Sequence, residues 1–122
     1  HKVPQGSLKN KIELTVENTS SHATRGVKVE AQNPPSWLRF EKGIIIIDEI
    51  QTHGEAIASF VFSIDKSVSV GTEYTLSFGI RSERGEKWNK EIHVAVVRQS
   101  VLGRLMTRLN QWAERKIMEL KV

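Results

Sequence analysis

The sequence predicts an all-β fold, a two-layer antiparallel β-sandwich of about seven strands followed by a C-terminal amphipathic helix. Three observations carry this prediction. The first is the stretch Gly71–Val97. Tyr74, Leu76, Phe78 and Ile80 share one parity there, and Trp88, Ile92, Val94 and Val96 share one parity across a polar turn. Period-2 alternation puts such residues on one face of a half-buried strand, and Gly85 in the turn suits the positive φ that a tight hairpin needs. The second is recurrence: similar runs return at intervals of roughly ten residues with no helical pattern between them. The third is a change of period after residue 97, from two to about 3.6. A single hairpin cannot bury its own apolar face, so the remaining runs must supply a second sheet.

Taken in order, residues 1–7 read as a lead-in without pattern. Ile12, Leu14 and Val16 then alternate with Lys11, Glu13, Thr15 and Glu17, and the run stops at Asn18-Thr19-Ser20-Ser21, a cluster of turn formers. Val27, Val29 and Ala31 form the next strand, which Pro34 and Pro35 end by removing two ladder donors. Trp37 to Phe40 is short. Ile44–Ile47, bounded by Gly43 and Asp48, is four β-branched residues in succession and reads as a strand covered on both faces. Ala56, Ala58, Phe60, Phe62 and Ile64 complete the set before the hairpin. Gly71-x-x-Tyr74 ahead of Leu76 matches a tyrosine corner, in which the phenol bonds back to the main chain. The domain boundaries are therefore 1–7 lead-in, 8–97 sandwich and 98–122 helix.

Composition narrows the function classes. A chain of 122 residues has room for one domain, and with no cysteine it can hold neither a disulfide framework nor a thiolate metal site. No run of about 18 apolar residues is present to span a membrane as a helix. The chain starts at His1 without a leader pattern, which reads as an excised or processed segment. The net charge of +4 belongs to the tail: residues 1–97 hold twelve cationic and twelve acidic side chains, residues 98–122 six against two. The sandwich shows no linear sign of the basic stripe expected of a nucleic-acid binder, so no nucleic-acid partner is expected.

Several segments in order resemble a known family. They are I-x-L-x-V-x-N at Ile12–Asn18, V-x-V at Val27–Val29, P-x-W at Pro35–Trp37, Gly54-Glu55, F-x-F-x-I at Phe60–Ile64 and G-x-x-Y-x-L-x-F at Gly71–Phe78. Over residues 8–97 this is similar to the bacterial and archaeal Ig-like modules associated with alpha-galactosidases and sugar-binding domains (the NPCBM-associated type), and to related cell-adhesion modules. The resemblance implies an Ig-like sandwich, a non-catalytic role as spacer or adhesive surface, and a place in a larger secreted or cell-envelope protein of a prokaryote. It implies neighbouring domains of that protein as partners. It transfers no ligand-binding motif and does not account for residues 98–122.

Catalytic, cofactor and metal residues are not expected. His1, His22, His53 and His93 do not pair at the short spacings of a zinc site, no Gly-x-Ser-x-Gly elbow occurs, and the eight glycines sit singly at turns. Two tryptophans are candidate ligand contacts. Trp88, near a hairpin tip, and Trp37, after the proline break, each offer a platform for a sugar ring, which would make the domain a carbohydrate-binding module with a polysaccharide partner. The competing reading places both in the core, where tryptophan is mostly found. Asn18-Thr19-Ser20 matches a glycosylation sequon.

Residues from about 101 to 120 predict a helix with Ser100 as its cap. Leu102, Leu105, Leu109 and Trp112 lie at coiled-coil spacing, and Lys116 interrupts the stripe. Three outcomes follow from the wheel: docking on its own sandwich or the start of a neighbouring domain, a homodimer through this face, or a basic helix lying on an anionic membrane surface. A solitary helix of this length is marginal in water, so the stripe is expected to be covered.

Overall fold

The computed structural model describes residues 1–99 and the backbone of residues 111–118. Nine strands are present among them: β1 (Lys2–Pro4), β2 (Asn10–Asn18), β3 (Thr24–Gln32), β4 (Leu38–Phe40), β5 (Ile44–Ile50), β6 (Glu55–Ile64), β7 (Glu73–Arg81), β8 (Lys87–Val97) and β9 (Gln111–Met118). They make a five-stranded sheet of order β1-β8-β7-β3-β5 and a four-stranded sheet of order β4-β6-β2-β9. Seven of the strands fall within residues 8–97.

The alternation seen in the sequence is the alternation of burial. Along β2, Asn10, Ile12, Leu14, Val16 and Asn18 are buried and the residues between them are half-buried. Antiparallel pairing with β6 sets Ile12 opposite Phe60 and Leu14 opposite Ala58. In the facing sheet, the β7–β8 hairpin sets Leu76 opposite Ile92 and Ile80 opposite Trp88. Its turn closes with the Ser82 N–H donating to the Glu86 carbonyl at 3.0 Å, and Gly85 takes φ +90°. The two inner faces meet in one apolar core. Phe78 of β7 lies 5.0 Å from Phe60 of β6 and 6.0 Å from Phe40 of β4, ring centre to ring centre, so three aromatic side chains join the layers.

Three expectations change, and two sequence matches gain a structural account. The lead-in is a strand: β1 pairs parallel with β8, Val3 opposite Val96, and Val3 is fully buried. One apolar residue in a polar stretch gives no period to read, yet it caps the open edge of β8.

The isoleucine run is an edge strand rather than one covered on both faces. β5 pairs with β3 alone, and Ile44 and Ile46 are 44% and 65% exposed while Ile45 and Ile47 pack inward. Four identical residues hide the period-2 signal that would have separated the two faces.

The tyrosine bonds back to the main chain as expected, at long range. The Tyr74 hydroxyl donates to the Asn33 carbonyl at 2.8 Å, reaching the proline break 41 residues earlier. It also meets Trp37 edge-to-face at 6.2 Å, so β7 is tied to the β3–β4 loop.

Asn18, the first residue of the sequon match, is a structural residue. It is fully buried. Its Nδ2 donates to the carbonyls of His22 (2.8 Å) and Ile50 (3.0 Å), and its Oδ1 accepts from the Ser20 N–H and hydroxyl. The turn formers after β2 are organised around this amide.

The predicted helix is corrected over residues 111–118, which form β9, parallel to β2 with Ile12 opposite Trp112 and Asn18 opposite Met118. Residues 101–110 and 119–120 of that prediction lie outside the described residues. The physical reason is the edge of β2. Without a neighbour it would present a row of unpaired N–H and C=O groups, and a strand laid against it satisfies them. A ladder of eight paired residues outweighs the modest helical preference of the segment. The segment thus meets its own sandwich, through its main chain rather than through an apolar helical stripe.

A small acid-sensitive feature closes the β6–β7 connection. Asp65 accepts hydrogen bonds from the Ser67 N–H and Ser67 hydroxyl, both at 3.0 Å, and these, led by the backbone bond, hold its pKa below the ordinary 3.8. A depressed carboxylate pKa contributes stability that is complete above the unfolded value and lost as pH falls through the folded one. A carboxyl-detected NMR titration is expected to place the Asp65 midpoint below 3.8, and Ser67→Ala should move it part of the way back.

Candidate functional site

The outward face of the five-stranded sheet carries the site. The residues between the buried ones on β3, β7 and β8 point away from the core, and register brings them into rows. Lys28 of β3 lies opposite Arg81 of β7, and Arg81 lies opposite Lys87 of β8. Three cations therefore form one row across three strands, about 5 Å apart from strand to strand. The next row is Glu30, Gly79 and Asn89, and Gln32 lies opposite Ser77 in the row beyond.

Gly79 makes a depression in this face. With no side chain in the middle of the row, a hollow of about 120 Å³ opens, lined by Lys28, Glu30, Gln32, Gly79, Ile80, Arg81, Lys87, Trp88 and Asn89. The Gln32 amide lies over the glycine: its Nε2 would stand 2.5 Å from a Cβ built there. Its lining combines amides and charges with Ile80 and Trp88. Lys28 pairs with Glu30 at 3.5 Å. Arg81 and Lys87 are exposed and take part in no ion pair among the described residues. Like charges directly opposite each other on a sheet repel, so the row costs the free protein stability.

The two tryptophans are not brought together. Trp88 lines the hollow, but it holds a core-side position opposite Ile80 and packs half-buried against the apolar cluster. Trp37 packs partly buried against the same cluster, edge-on to Tyr74. Leu102, Leu105 and Leu109 lie outside the described residues, and Trp112 stands on β9. His93 is exposed on β8, its Nε2 3.3 Å from Glu73 Oε1. Among the described residues no three His, Asp or Glu side chains are grouped to hold a metal ion.

Sequence reading missed Lys28, Gln32, Arg81, Lys87 and Asn89. Their signal was present in the parity opposite to the core, but strand alternation assigns a residue to a face and not to a row. Counting charges along the chain gave a neutral domain and concealed a row in which Lys28 is more than fifty residues from Arg81 and Lys87.

No protein-family model matches the chain, and no curated protein matches it. Among solved structures, the Pseudomonas aeruginosa CupB2 chaperone superposes with a TM-score of 0.43 at 13% identity, covering 80% of this chain and 51% of that one. The chain thus spans about half the length of that protein.

Proposed function

We propose that this chain is a non-catalytic interaction module, an Ig-like sandwich that serves as a spacer or adhesive surface within a larger secreted or cell-envelope protein of a prokaryote. The observation that supports it best is the form of the site: a polar hollow on the outward face of the five-stranded sheet, suited to contact with an extended partner. The Ig-like assignment draws support from strand order. The second strand pairs with the sixth, and the third, seventh and eighth pair in the other layer, so the two sheets interlock by crossovers as Greek-key sandwiches do. Neighbouring domains of the parent protein are the first partners on this reading. Homodimer contact or membrane-surface contact through residues 98–122 are secondary ones, with β9 as the part of that segment placed on the sandwich.

A second reading, a carbohydrate-binding module, is favoured by Trp88 at the wall of the hollow beside the Gln32 and Asn89 amides. Titration of the chain with soluble polysaccharides, following tryptophan fluorescence while assaying for new reducing ends, tests both. The expected result is a saturable shift without cleavage. New reducing ends would overturn the non-catalytic reading. Loss of the shift in Trp88→Ala, with the fold retained by circular dichroism, would make the tryptophan the platform and favour the second reading.

A further inference from the structure

We propose that the row Lys28–Arg81–Lys87 over the Gly79 hollow is a binding site for a carboxylated sugar unit, so that the module's ligand is an acidic polysaccharide of the uronate type. This rests on the interaction-module reading and names its ligand class.

The argument begins with the cost of the row. Arg81 lies opposite a cation on both sides, and neither it nor Lys87 takes part in an ion pair among the described residues. Such an arrangement lowers the stability of the sheet, and an anion seated between the three removes the repulsion. Arg81 at the centre offers the planar fork that grips a carboxylate with two parallel bonds, and Lys87 adds a point charge beside it. Lys28, already turned to Glu30, contributes least.

The surroundings select among anions. The neighbouring positions carry amides, Gln32 and Asn89, which donate and accept and so match hydroxyl groups better than a bare ion. The Gln32 amide lies over Gly79, so a ring entering the hollow meets this amide first, and the amide can turn to bond its hydroxyls. Acidic side chains bound the row. Glu30 stands on the strand of Lys28, and Glu91 stands on the strand of Lys87, opposite Ser77. A nucleic acid, with its dense charge, would run its next phosphates against these carboxylates. A polysaccharide with one carboxylate per sugar places hydroxyls there instead.

The test uses the whole chain and four soluble probes at low salt: polygalacturonate, dextran, polyglutamate and oligothymidylate. Calorimetric titration is expected to show saturable binding of polygalacturonate, weakened by added salt, and no comparable binding of the other three. Arg81→Gln and Lys87→Gln should each weaken it by about tenfold, the loss of one charge-assisted contact. Gly79→Val, which fills the hollow with a residue favoured in strands, should abolish it. All three variants should keep the parent circular dichroism spectrum. Arg81→Gln should melt no lower than the parent, because it relieves repulsion.

Binding of polyglutamate or oligothymidylate as tight as that of polygalacturonate would overturn the proposal, as would binding unchanged in Arg81→Gln. Equal binding of dextran would overturn it while leaving the interaction-module reading standing. That reading falls on polysaccharide cleavage, which none of these outcomes measures. A lower melting temperature in Arg81→Gln would also count against the proposal, since it would make the arginine a structural brace.

Discussion

Phe78→Ala is expected to lower the free energy of unfolding by about 3–5 kcal/mol, with urea denaturation followed by circular dichroism as the measurement. Phe78 is fully buried on β7 and meets Phe60 and Phe40 of the opposite sheet at 5.0 and 6.0 Å. Removing the ring deletes apolar area and leaves a cavity between two layers that their own ladders hold rigid, so little of the space can collapse. The loss would be a large part of the total for a domain whose stability lies within about 5–15 kcal/mol. Phe78→Leu keeps much of the volume and should lose less. A loss below about 1 kcal/mol in the alanine variant would mean that the layers are not joined through this ring.

Asn18→Ala is expected to cost about 2–5 kcal/mol, although it removes no apolar core residue. The amide makes four hydrogen bonds at the end of β2, and its loss strips the Ile50 and His22 carbonyls and the Ser20 N–H of this partner inside the protein. Asn18→Asp is the more telling variant. It has the same shape, but it turns a donor into a carboxylate oxygen facing two carbonyl oxygens. At neutral pH it should be at least as damaging as alanine. Burial beside those carbonyls raises the folded-state pKa, so the variant should recover as pH falls, when the protonated acid can donate again. An aspartate variant as stable as the parent at neutral pH would contradict the described network.

The sandwich was legible because its signals are local. Alternation at Ile12–Val16, Phe60–Ile64, Leu76–Ile80 and Ile92–Val96 reports a face directly, and Pro34, Pro35 and Gly85 report breaks and turns through their own backbone limits. What escaped depends on partners distant in sequence. Val3 is informative only beside Val96, and Tyr74 finds its acceptor at Asn33. Residues 111–118 carry a helical period, yet the edge of β2 decides their conformation. The hollow over Gly79 follows the same logic, because its row exists only through the register of three strands.

The parallel pairing of β1 with β8 also bears on how the domain would answer mechanical force. His1 lies at the Ala95 end of the pair and Gln5 at the Val97 end, held by the Ala95 N–H to His1 carbonyl bond and the Gln5 N–H to Val97 carbonyl bond, each 2.8 Å. A pull drawing residue 1 and residue 97 apart slides one strand along the other. The bonds of the pair are then loaded together in shear, rather than opened singly from one end as in a hairpin peeled by its tips. Three residues of β1, with Val3 wedged in the core, thus act as a clamp on the last strand of the hairpin. That clamp would set the tension at which the sandwich begins to yield.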